Sequence, residues 1–108
     1  MPRSADIDVD ELAKRLNDGA RLIDVREADE YQSGHVPGAE NWPLSELPAS
    51  FSAIGSDETL LVIGRLGGRS ANAGEFLVGH GYSVVNVEGG TMAWAMAGRD
   101  LVTGDQPT

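Results

Sequence analysis

Residues Leu60–Ser70 read LLVIGRLGGRS, and this stretch decides the fold. LLVI is an unbroken apolar run, which predicts a strand buried on both faces, as at the centre of a parallel sheet. A glycine-rich basic loop follows, and helical spacing begins at Ser70, with Ala73, Phe76 and Leu77 on one side. Strand, glycine-rich turn and helix in that order can build an anion cradle. Glycines at 64, 67 and 68 relax the steric limits on the backbone, so successive N–H groups can converge on one point. The helix adds its free N–H groups and the positive end of its dipole. Arg65 and Arg69 add planar donors. Arg65, Leu66, Gly67, Gly68, Arg69 and Ser70 are therefore the candidate anion-binding loop. The plainer alternative is a tight strand-to-helix turn carrying two solvated arginines. No GxxxxGK[ST] pattern is present, so this is not a P-loop.

Outward from this loop, strands and helices alternate. Towards the N-terminus, residues 8–19 predict a helix: Val9, Leu12, Ala13 and Leu16 form one stripe, Asp8 and Glu11 have capping-box spacing, and Gly19 suits the stop. Arg21–Val25 predicts a strand, residues 27–32 one or two helical turns, and His35–Pro43 a loop with a brief strand at 39–42. Residues 44–54 predict a short helix interrupted near Pro48. Towards the C-terminus, the helix from Ser70 runs to His80 and stops at Gly81, and Ser83–Glu88 predicts a strand. Gly89–Gly98 predicts a helix that buries Met92, Trp94 or Met96. Residues 99–108 form a polar tail, with little order expected after Val102. Alternation of this kind predicts an α/β domain with a parallel sheet and right-handed crossovers. Ligands bind such sheets beyond the carboxyl ends of the strands, where Gly64 lies.

Composition narrows the function. A length of 108 residues suits one domain, and 41% apolar content suits a folded globule. The net charge of −9 opposes nucleic acid and anionic membranes as partners. No apolar run is long enough to span a bilayer, and the N-terminus lacks a hydrophobic signal core, so a cytoplasmic location is expected. The chain has no cysteine, which removes disulfides, thiolate metal sites and thiol nucleophiles. His35 and His80 lack metal-ligand spacing; neither a metal nor another cofactor is expected.

Three motifs together resemble the rhodanese-like sulfurtransferase family. The loop is similar to that family's active-site loop, C-R-x-G-x-R-S: Arg65, Gly67, Arg69 and Ser70 match, and Gly64 stands at the cysteine position. Leu22–Leu47, LIDVREADEYQSGHVPGAENWPLSEL, resembles the family's D-V-R-E turn and G-H-I-P-G-A motif. Glu88–Trp94, EGGTMAW, resembles its E-G-G-x-x-x-W segment. The resemblance implies a three-layer α/β fold with a central, mainly parallel five-stranded sheet flanked by helices. One domain is expected over 1–102, with 103–108 a flexible tail.

The family's mechanism uses a cysteine thiolate that accepts a sulfane sulfur and passes it on as a persulfide. Gly64 has no side chain to carry one, and Ser70 is expected to stabilise the helix start. With four residues between Gly64 and Arg69, the loop matches the sulfurtransferase length rather than the longer loop of the fold's phosphatase relatives. The resemblance sets Asp24 and Arg26 beside the loop, either holding it or forming a structural ion pair. His35 is expected to donate to a carbonyl and fix the loop. Trp42 and Trp94 are expected in the core, and His80 at a helix C-terminus. The leading expectation is a non-catalytic domain binding a small oxyanion (sulfate, phosphate or thiosulfate) or a protein partner at this loop. The alternatives are a sulfurtransferase-related enzyme with residual or partner-assisted activity, and a purely structural or interaction module.

Overall fold

The computed structural model describes residues 5–108. Five strands, β1 (Ala5–Ile7), β2 (Arg21–Asp24), β3 (Glu40–Asn41), β4 (Leu60–Ile63) and β5 (Val84–Val87), form one sheet in the order β1-β5-β4-β2-β3. Every pairing is parallel. LLVI is the central strand and is buried throughout, as its unbroken apolar run predicts. Its residues alternate between two cores. Leu61 and Ile63 pack with Val9, Leu12, Tyr31 and Trp94 on one face; Leu60 and Val62 pack with Leu47, Ala73, Leu77 and Tyr82 on the other. The sheet is therefore the middle layer. α1 (Val9–Asn17), α2 (Ala28–Ser33) and α5 (Gly90–Met96) contribute to the first face, and α3 (Leu47–Ser50) and α4 (Gly68–Gly79) to the second.

Local signals account for most element ends. Asp8 caps α1 by accepting from the Glu11 N–H at 2.9 Å, but Glu11 turns to Arg15 and does not complete the box. Gly19, just after α1, has φ +88. The 44–54 helix is instead three pieces, with 3-10 turns at Leu44–Glu46 and Phe51–Ala53 around α3. Pro48 opens α3 rather than breaking it, because a missing N–H costs nothing in a helix's first turn. α4 starts at Gly68, two residues before Ser70. β1 is absent from the sequence reading: three residues show no period, and the ladder to β5 alone makes them a strand. Of the three α5 candidates, Trp94 is buried, while Met92 and Met96 are exposed. Trp42 is half-buried against the second core.

The segment read as a polar tail returns across the α2–β3 connection. His35 and Val102 exchange backbone hydrogen bonds at 2.9 and 2.8 Å, the Gly104 N–H donates to the Gln32 carbonyl, and the Gly38 N–H donates to the Pro107 carbonyl. Among the described residues, no helix is long and apolar enough to cross a membrane.

Candidate functional site

The carboxyl end of β4 delivers Gly64 into the loop that leads to α4. Its carbonyl accepts from the Thr91 N–H at 2.8 Å and the Thr91 hydroxyl at 3.0 Å, and the Arg65 carbonyl accepts from the Met92 N–H. The loop backbone is thus stapled to the first turn of α5. Only glycine allows this approach: Gly90 has φ +60, and a Cβ there would lie 2.5 Å from the Arg65 carbonyl oxygen. Gly67, at φ +117, turns the chain into α4. The first N–H groups of a helix have no intrahelical acceptor. Among the described residues, none accepts from the backbone N–H groups of Arg65–Ser70. A Cβ built on Gly64 would point at this helix end, 3.2 Å from the Ser70 nitrogen and 3.6 Å from the Arg69 Cβ. The backbone at Gly64 is outside the left-handed region.

The side chains of the loop are committed differently. Ser70 is fully buried; its hydroxyl donates to the Gly67 carbonyl at 3.0 Å and meets the Asn86 side-chain amide on β5. It locks the helix start to the sheet, and among the described residues its hydrogen-bond partners are these two groups, neither of them a base. Arg69 does not stand free over the loop. Its guanidinium forms a two-pronged pair with Glu30 of α2, one contact at 2.7 Å. That hydrogen-bonded pairing lowers the Glu30 carboxyl from 4.5 to about 2 and raises the Arg69 pKa. Arg65 and Leu66 are exposed.

Asp24 and Arg26 form the expected ion pair at the end of β2, with Asp24 fully buried and Arg26 nearly so. Arg26 Nη2 lies 2.8 Å from Asp24 Oδ2 and also donates to the Gly34 carbonyl at 2.8 Å. The Asn41 amide donates to the carbonyls of Asp24 and Arg26, and the Val25 N–H donates to the Ile63 carbonyl. The pair therefore braces the β2 end next to β4. His35 is buried but does not reach the loop. Its ring stacks on Tyr31, with Nδ1 at 2.8 Å from the Tyr31 carbonyl and Nε2 at 2.9 Å from that of Gln106. It fixes the C-terminal segment instead. His80 follows α4, with Nδ1 at 2.9 Å from the Phe76 carbonyl.

Glu30, Asn86 and Thr91 also hold the loop. The repeated glycine of EGGTMAW signals a close approach there, but a lone Glu, Asn or Thr gives no local sign of a distant partner.

The parallel sheet with helices on both faces, and the glycine-rich loop beyond its central strand, define an α/β domain of the rhodanese-like fold class. A family model for the rhodanese-like domain matches residues 8–97, and the chain belongs to this family. A sulfurtransferase of Allochromatium vinosum is 35% identical over 100 residues, spanning 90% of this chain and 94% of that protein. YtwF of Bacillus subtilis is 40% identical over 73 residues, 68% of this chain and 71% of that protein. The crystal structure of a rhodanese-related protein from Thermoplasma volcanium has a TM-score of 0.85 at 34% identity, covering 94% of this chain and 99% of that one.

Proposed function

We propose that this rhodanese-like domain carries no sulfur of its own and holds a small oxyanion, sulfate, phosphate or thiosulfate, on the backbone of Arg65–Ser70. Gly64 takes the place of the family's nucleophile. The observation that carries this reading is the direction of the Gly64 Cβ position, aimed at the Ser70 nitrogen 3.2 Å away, in a chain without cysteine. In such a cradle, N–H groups and a helix dipole stabilise a sulfur anion. With no side chain at Gly64 the N–H groups keep their affinity for negative charge, but no covalent intermediate can form. Ser70 cannot replace the thiol, because its hydroxyl is buried and already bonded. Arg65 is the loop's exposed cation and would meet the anion from the solvent side.

The test is an NMR titration with sulfate, phosphate and thiosulfate. Amide shifts concentrated in residues 64–70 support the reading, and a flat response at millimolar anion sinks it. Sulfur transfer from thiosulfate to cyanide should stay at background. Clear turnover by clean protein would favour the alternative of residual or partner-assisted catalysis.

A further inference from the structure

Beside the loop a cleft of about 200 Å³ opens between α2 and α5. Met92, Ala95 and Leu101 give it apolar walls, and Arg65 stands at its edge with the loop. Leu101 is 40% exposed and Met92 36%. Leu66, next to Arg65, and Met96, one turn beyond Met92, are exposed too. Exposed apolar side chains gathered around a cleft mark an interaction site, and here they lie next to a loop that carries an exposed arginine.

Charge selects the occupant. Arg15, Arg21, Arg26, Arg69 and Arg99 each pair with a carboxylate. Arg65 is the arginine without a carboxylate partner among the described residues. Glu30 also lines the cleft, but Arg69 holds both its oxygens, so the pair brings no net charge. Arg26, likewise on the lining, is neutralised by Asp24. The uncompensated charge is therefore one guanidinium beside an apolar wall. An inorganic oxyanion would leave that wall exposed to water, and a neutral hydrocarbon would leave Arg65 unmatched.

We infer that the ligand of this site is an organic anion, with its negative headgroup at Arg65 and the loop and a short apolar tail against Met92 and Leu101. This deepens the oxyanion reading and rests on it for the headgroup. The cleft is smaller than the ~300–1,000 Å³ of pockets for drug-sized ligands, which keeps the tail short.

The experiment compares hexanesulfonate, methanesulfonate, hexanol and inorganic sulfate by NMR titration of the full chain. Hexanesulfonate should bind about tenfold more tightly than methanesulfonate and shift the methyl signals of Met92 and Leu101. Leu101→Ser and Met92→Gln should each cut that tail-dependent gain about threefold and leave methanesulfonate unchanged. Arg65→Gln should weaken both sulfonates. Equal affinity of the two sulfonates overturns the inference. So does a gain that survives both cleft variants, or hexanol binding as tightly as hexanesulfonate. The sulfate arm reports on the loop separately. Sulfate shifts at 64–70 without a tail gain remove the cleft inference and keep the proposed function; a tail gain at the cleft with a flat sulfate response removes the proposed function and keeps the cleft and Arg65.

Discussion

Gly64→Cys is the informative change at the scale of one residue. The backbone there suits an L-residue, and the new Cβ needs a shift of only a few tenths of an ångström away from the Ser70 nitrogen. The thiol should titrate at least ~1 unit below the ordinary value near 8.5, because free N–H groups and the start of α4 stabilise the thiolate. The pH dependence of its alkylation rate measures this. A thiol that titrates like free cysteine would show that the loop is not preorganised for negative charge. Glu30 gives a second prediction. Its carboxyl lies at about 2 in the folded chain against an ordinary 4.5, so the unfolded chain binds the proton more tightly. The stabilisation by Arg69 is complete above pH 4.5 and is lost as pH falls towards 2. Glu30→Gln should therefore flatten the fall in melting temperature across that window. An unchanged acid limb would show that the pair contributes nothing to stability. The sequence marked Arg69 as a loop cation, but its partner lies 39 residues away, beyond the reach of any local pattern.

Between elements, the contact of α5 with the β4–α4 loop decides whether the site keeps its shape. Gly90→Ala puts a Cβ into the carbonyls of Gly64 and Arg65 and forces a side chain onto φ +60. It should destabilise the fold by ~2 kcal/mol or more and shift the amides of the loop. Gly79→Ala is the control, since its Cβ would meet open space at the end of α4. That change should be neutral or stabilising by up to ~1 kcal/mol. Chemical denaturation of both variants measures the contrast, and equal effects would refute the clash. Most elements were legible because their causes are local. LLVI announces a central strand by its own composition, and Asp8 and Gly19 bound α1 by their own chemistry. Pro48 misled because a proline reads as a helix break unless the position of the helix start is known.

At the scale of the whole molecule, residues 100–107 return to hydrogen-bond with Trp94 and with the α2–β3 connection. His35→Ala removes the stacking on Tyr31 and the ring contacts with the carbonyls of Tyr31 and Gln106. Stability should fall by roughly 2–4 kcal/mol, and amide exchange at Val102 and Gly104 should accelerate. Unchanged exchange there would show that His35 does not fasten the segment. The family resemblance implies His35 as a support of the loop through a carbonyl; the carbonyls its ring meets are those of Tyr31 and Gln106. By itself the sequence determined the strand–helix alternation, the buried central strand, the glycine-rich loop and the absence of a thiol. Each is a property of a few neighbouring residues and their backbone freedom. Tertiary structure alone decided that Ala5–Ile7 is a strand, that Arg69 belongs to Glu30, and that the C-terminal segment packs on His35. Those outcomes depend on which distant groups reach hydrogen-bonding distance once the apolar faces close on the sheet.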